Sequence, residues 1–218
     1  MVRVHCYIDG FNLYYAIMEN PNFVKYKWLN LRSLCQMFIG DPKLYEIQKI
    51  YYFSAYCPWK VKRQLRHRTY VKALRTERID CVMGEMFRES RTCKKCGHTY
   101  IEQKEKQTDI NIATTMLTGA YQNKFDVAFL ITGDSDMVPV IKKVQNVFGK
   151  KVTSIFPPNR ESSHIKQVAH SHKKIEEVHL KNSPFPNVIN GTIFNPYVTH
   201  PSPPVVPPAP FNPIIFNP

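Results

Sequence analysis

Acidic residues are scarce in this chain. Asp and Glu number 17 against 30 Lys and Arg, and the formal net charge is +13 over 218 residues. That imbalance points to a polyanionic partner, nucleic acid before membrane. Long apolar runs are missing too. None reaches the roughly 18 residues a membrane span requires, so no transmembrane helix is expected. The opening MVRVHCYID has neither the apolar core nor the small-residue cleavage site of a signal peptide. Without a secretion signal, the six cysteines read as reduced thiols or metal ligands rather than a disulfide frame, and a cytoplasmic protein is expected. From Asn182 onward charge vanishes: that stretch has no Lys, Arg, Asp or Glu and holds 11 of the 17 prolines. Such a composition favours extended, polyproline-like chain and cannot close a core of its own. The expected division is therefore a folded domain over 1–181 and a Pro-rich tail over 182–218, extended or disordered. The tail keeps Phe185, Phe194, Tyr197, Phe211, Ile214, Ile215 and Phe216. It reads either as a disordered linker or as a strap docking its aromatics on this domain, a second copy or another protein.

The chain centres on FDVAFLITGDSDMVPV, residues 125–140. Val127–Thr132 is an apolar run of the kind found in strands covered on both faces. Gly133 permits a sharp turn, and Asp134 and Asp136 fall where a helix would begin, with Pro139 tolerable in its first turn. One Asp suffices for an N-cap; two flanking Ser135 exceed what capping requires. The same device occurs at the start of the chain: Val2–Ile8 reads as a strand ending at Asp9, followed by Gly10, Asn12 and a helix. A helical spacing over Leu29–Phe38, a strand over Ile47–Tyr56, a strand at Ile79–Met83, a helix over Thr108–Tyr121 with Thr108 as cap, and a strand at Lys151–Phe156 continue the alternation. A helix around Glu161–His170 and a short return over Lys174–Leu180 close it. Alternating strands and helices predict an α/β fold with a mainly parallel sheet.

Lys60–Arg78 holds eight Lys and Arg against one Glu. Val61, Leu65, Val71 and Leu74 give it a partial core face, and Lys60, Lys62, Arg63, Arg66, Arg68 and Lys72 are candidates for contact with nucleic acid, against the plainer reading of a solvated helix face. Tyr14, Tyr15, Tyr51, Tyr52 and Phe53 are candidates for stacking on bases, although core packing explains most of them. His164, His170 and His172 have no compact ligand spacing and read as surface. Residues 87–107 form a polar excursion carrying Cys93-Lys-Lys-Cys96-Gly-His98, half of a zinc ribbon. A closed zinc site needs four ligands. His98, Cys57, Cys81, His67 or the Cys pair of a second subunit are candidates to complete it, and a free or redox-active pair is the alternative.

Asp9, Asp109, Asp134 and Asp136 are four of only seven aspartates. Two carboxylates about 5 Å apart repel by roughly 3 kcal/mol at an effective dielectric near 20. A divalent cation removes that cost, and hard oxygen ligands suit Mg²⁺ or Mn²⁺. The chemistry such a cluster serves is phosphodiester hydrolysis.

Tyr7-Ile8-Asp9-Gly10-Phe11-Asn12-Leu13, the Thr108-Asp109 helix start and Thr132-Gly133-Asp134-Ser135-Asp136 together resemble the NYN domain, a branch of the PIN-like nucleases, over about residues 2–180. The resemblance implies a three-layer sandwich around a parallel sheet and a metal-dependent ribonuclease site. It assigns Asp9, Asp134 and Asp136 to metal, Asp109 to metal or to the attacking water, and Asn12 and Ser135 to phosphate or metal-bound water. The expected function is Mg²⁺- or Mn²⁺-dependent endonucleolytic cleavage of RNA, preferably single-stranded. Three other readings remain: a module that binds RNA or a protein without cutting, a DNA nuclease, and a phosphatase.

Overall fold

The computed structural model describes residues 1–198. Its central strand is β1 (Val2–Asp9), whose side chains alternate across the sheet: Val4, Cys6 and Ile8 enter one buried cluster, Tyr7 the other. On one side lie β2 (Tyr45–Ala55), β3 (Asp80–Thr92) and β4 (Thr99–Lys106); on the other, β5 (Val127–Ile131), β6 (Lys151–Phe156) and β7 (Ser171–Lys174). The order is β4-β3-β2-β1-β5-β6-β7, parallel throughout except for the antiparallel β3–β4 pair. Helices α1 (Gly10–Met18), α2 (Leu31–Gln36) and α3 (Val61–Thr76) cover one face through Leu13, Leu34 and Leu74. Helices α4 (Thr108–Tyr121), α5 (Val138–Asn146) and α6 (Ser163–Val168) cover the other through Ile112, Ile141 and Ile165. This is the α/β sandwich that the alternation predicts. All five residues of β5 are buried, as a strand with helices on both faces requires.

Three segments depart from expectation. The polar excursion is a β-hairpin continuous with the sheet: β3 runs on through Thr92 and pairs with β4 from Glu85↔Lys106 to Thr92↔Thr99. Its residues are largely exposed, so no apolar alternation marks it; cross-strand pairs such as Arg91–Glu102 stabilise it instead. In α3 only the second half contributes fully buried residues. Val71, Ala73 and Leu74 are buried, whereas Val61 and Leu65, expected on the core face, are 62% and 58% exposed because they stand on the helix side turned away from Val71 and Leu74. The return after β7 is the short helix α7 (Glu177–Lys181).

Packing also continues across residue 181, where composition places the end of the folded domain. Phe185 is buried against Trp28 and Tyr70. Trp28 Nε1 donates to the Pro186 carbonyl at 2.8 Å, and Asn30 N–H donates to the Ser183 carbonyl at 2.7 Å. Ile189 joins the same core, just before a small turn closed by β8 (Val188–Ile189) and β9 (Ile193–Phe194). Residues 182–198 are thus strapped to the domain, while Phe211, Ile214, Ile215 and Phe216 lie outside the described residues. No helix among the described residues is long and apolar enough to cross a membrane.

Candidate active site

Strand order reverses between β1 and β5, and the crevice beyond their carboxyl ends is where open parallel sheets bind ligands. Asp9 closes β1 and caps α1, its Oδ1 accepting from the Asn12 N–H at 2.9 Å. Its Oδ2 accepts from the buried Thr132 hydroxyl at 3.0 Å, and Thr132 Oγ1 in turn accepts from the Asp134 N–H at 3.2 Å. Asn12 Oδ1 accepts from the Gly133 N–H at 3.0 Å. Asp134 caps the turn of 3₁₀ helix over Ser135–Met137 by accepting from the Asp136 N–H at 3.0 Å. The two strand-end motifs, more than 120 residues apart in sequence, are therefore laced together by two hydrogen bonds, and Thr132 ties Asp134 into the same network. Gly133 is required there because a Cβ would lie 1.9 Å from the Arg160 carbonyl oxygen.

Asp109 joins them from the first turn of α4. It keeps contact with solvent, yet its carboxyl is pushed up to about 6 by burial of its inner side and then by repulsion from Asp9, Asp134, Glu105 and Asp136. Asp9, only 6% exposed, is also raised, by burial and by Asp134, against the pull of its hydrogen bonds. The charges that bear most on Asp109 are all carboxylates. Asp136 and Ser135 are exposed at the rim. Among the described residues no three His, Cys, Asp or Glu side chains form a ready cage for a metal ion. The donor set nonetheless suits Mg²⁺ or Mn²⁺: these are hard carboxylate oxygens that repel one another, and Mg²⁺ commonly takes one or two carboxylates and keeps its waters.

Two contributors escape a reading of the sequence. Glu105, at the end of β4, accepts from the Thr108 N–H at 2.9 Å and from the Thr108 hydroxyl, adding a fifth carboxylate beside Asp109. Thr108 is therefore the first helical residue rather than the cap expected of it; the cap position falls to Gln107, in a left-handed conformation at φ 81°. Thr132, the hydroxyl between Asp9 and Asp134, is hidden in sequence at the end of an apolar run.

The basic candidates sit together on α3 and at its start. Lys62, Arg66, Arg68 and Lys72 are exposed, and no α3 cation pairs with a carboxylate among the described residues. Lys60, Arg63 and Arg66 border a cavity of about 470 Å³ next to Gly10, one residue beyond Asp9; the carboxylates themselves do not line it. A second cleft is lined by Ser135, Asp136 and Lys142.

Cys93 and Cys96 stand in the turn joining β3 to β4, with Gly97 at φ +70°. The backbone N–H groups of Cys96 and Lys95 hydrogen-bond to the Cys93 thiol and lower its pKa. No third ligand joins them among the described residues. Exposed His98 does not complete a set; Cys57 and His67 line the cavity, and Cys81 lies at the start of β3, its thiol pushed up to about 11 chiefly by burial.

The family model described as the NYN domain matches residues 3–176. The chain belongs to the NYN domain family. NYN domains carry a PIN-like, nuclease-type fold and typically act on RNA. One relative, named a 6-hydroxy-3-succinoylpyridine 3-monooxygenase, from Pseudomonas putida, is 24% identical over 87% of this chain and 72% of its own length. A crystal structure of a protein of unknown function from Vibrio parahaemolyticus superposes on this NYN domain with a TM-score of 0.56 at 16% identity, covering 81% of this chain and 94% of that one. That likeness is one of fold.

Proposed function

We propose that the chain is a metal-dependent endoribonuclease that hydrolyses phosphodiester bonds of single-stranded RNA at the crevice between β1 and β5. The observation that carries this reading is the convergence of Asp9, Asp109, Asp134 and Asp136, with no positive charge among the main perturbers of Asp9 and Asp109. Asp9, Asp134 and Asp136 would hold Mg²⁺ or Mn²⁺, which when bound supplies an activated water and neutralises charge on the phosphate. Asp109, with its carboxyl near 6, can take up a proton close to neutral pH, as the attack of water requires. Thr132 and the Asn12 Oδ1 fix the carboxylates by tying β1 to the turn after β5, which leaves the Asn12 amide N–H groups to position phosphate or metal-bound water. Ser135, exposed beside them, is free to donate to a phosphate oxygen. Exposed cations of α3 would hold the RNA backbone.

Asp134→Asn keeps a side chain able to cap the turn, so the fold should survive while Mg²⁺-dependent cleavage of single-stranded RNA falls at least a thousandfold (on the order of 4 kcal/mol of barrier). Full activity in that variant would remove the assignment. The second reading, a module that holds RNA without cutting it, draws on the lack of a ready three-ligand cage among the described residues. Binding with persistent inactivity in both Mg²⁺ and Mn²⁺ across many RNAs would favour it. A DNA panel separates the remaining nuclease reading, since 2′-hydroxyl contacts discriminate RNA from DNA.

A further inference from the structure

The cavity beside Gly10 has features that a packing defect would not have. Lys60, Arg63, Gln64 and His67 line it at helical spacing, i, i+3, i+4 and i+7, so they occupy one face of α3 and its start. Further along the helix that face continues as Tyr70, Val71 and Leu74, in or against the core. The core-facing stripe of α3 thus turns polar and cationic toward the helix N-terminus, and no carboxylate lines the cavity to answer it. Aromatic rings line it beside the cations. Arg63 lies over Tyr14, 5.2 Å from the ring centroid, and over Tyr15 at 5.7 Å, and donates to the Tyr15 hydroxyl at 3.3 Å. Buried Tyr52 forms part of the lining, its hydroxyl 3.2 Å from His67 Nε2. Tyr197 adds another ring from the strap. The volume, about 470 Å³, lies within the roughly 300–1,000 Å³ usual for small-ligand sites.

Flat rings beside guanidinium groups that no carboxylate neutralises suit a planar group that carries negative charge. We propose that this cavity is a base-binding subsite, taking one unpaired nucleotide of single-stranded RNA with its base among Tyr14, Tyr15 and Tyr52 and its phosphate against Arg63 and Arg66. The proposal rests on the RNA reading given above and extends it. A base held in a duplex is stacked and paired on both sides and does not enter; an unpaired one does. The recognition is by stacking and charge, so the subsite selects strandedness more than sequence. Gly10 belongs to the cavity and Asp9 to the acidic cluster, so the chain seats the base one residue from the cluster.

The test is fluorescence anisotropy with the full chain in EDTA, using a labelled single-stranded RNA octamer and a set of octamers each carrying one abasic position. Abasic sites keep the phosphates, so only the interactions of the base change. One abasic position should weaken binding between about fivefold and a hundredfold, and that penalty should vanish in Tyr14→Leu and in Arg63→Met. Absence of RNA binding, no abasic penalty above twofold, or a penalty unchanged in both variants would overturn the subsite. Cleavage is not read in this assay. A subsite that passes while Asp134→Asn leaves cleavage intact sinks the catalytic assignment alone, and the reverse result sinks the subsite alone.

Discussion

The crowding of carboxylates around Asp109 has a thermodynamic signature that needs no substrate. Its carboxyl stands near 6 against an ordinary value of 3.8. A carboxyl raised in the folded state makes its contribution in full at low pH, below the unfolded value, and that contribution is lost as pH rises through the folded value. A shift of that size corresponds to a ceiling of about 3 kcal/mol, and because Asp109 faces solvent the realistic cost of ionising it is roughly 1–2 kcal/mol. Other groups titrate in the same window. His5 and His67 are held down at about 4 by burial and nearby cations, so their contribution falls as pH drops below the ordinary histidine value, the opposite sign. They are common to wild type and Asp109→Asn, so the difference between the two chains isolates the carboxylate. Urea midpoints at pH 5, 6, 7 and 8, in EDTA, should show wild type losing roughly 1–2 kcal/mol relative to Asp109→Asn as pH rises. Millimolar Mg²⁺ at pH 8 should restore most of that loss to wild type and little to the variant, since binding only the native state stabilises it. Parallel pH profiles for the two chains would refute the convergence of the carboxylates.

Charge removal on the exposed face of α3, as Lys62→Gln, Arg68→Gln and Lys72→Gln together, should weaken RNA binding and flatten the plot of log affinity against log salt by about 0.7 for each phosphate left without its cation; an unchanged slope removes that face from the interface. Phe185→Ala should cost about 3 kcal/mol in a chemical melt, because the ring fills a core site between Trp28 and Tyr70; a cost below about 0.5 kcal/mol, typical of a surface change, would show the strap to be dispensable. At the hairpin tip two thiols are half a tetrahedral shell, so zinc there requires a second copy. Elemental analysis of protein purified under reducing, chelator-free conditions is expected to give one zinc per two chains, absent in Cys93→Ser; one zinc per monomeric chain, or none, excludes the shared site.

What the sequence reveals depends on which residues answer to local rules. Strands β1 and β5 are legible because burial on both faces forces apolar runs, and Asp9 and Asp134 stand out because the same strand, Asp and helix-start device occurs twice, the second time with Asp136 beyond what capping requires. The hairpin is not legible, since its side chains face water on both sides and apolar periodicity has nothing to select. Glu105 is hidden with it. The burial of Phe185 is concealed for another reason: a charge-free, proline-rich stretch reads as linker by composition, and only the groove at Trp28 and Tyr70 makes it part of the core. Val61 and Leu65 mislead in the other direction. They are apolar, but they stand on the side of the helix turned away from the face that carries His67, Tyr70, Val71 and Leu74.

The two candidate sites differ in how they are built, and that difference bears on how they respond to change. The acidic cluster is fixed largely by backbone: Asn12, Gly133, Asp134 and Asp136 all engage through main-chain N–H groups, and Gly133 is wedged against the Arg160 carbonyl. Its geometry therefore follows from the strand-order reversal and resists substitution elsewhere. The cavity is assembled from side chains of α1, α3, the end of β2, the hairpin and the strap. Tyr14→Leu or Arg63→Met can thus alter what is bound without removing a partner of Asp9, whose hydrogen bonds run to the Asn12 N–H and the Thr132 hydroxyl. Gly10 is the exception: a Cβ there would lie 2.5 Å from the Tyr52 ring and 2.6 Å from the Phe53 carbonyl. Gly10→Ala should consequently disturb cluster and cavity together, reducing cleavage and RNA binding in one step, where changes at Tyr14 or Asp134 separate the two.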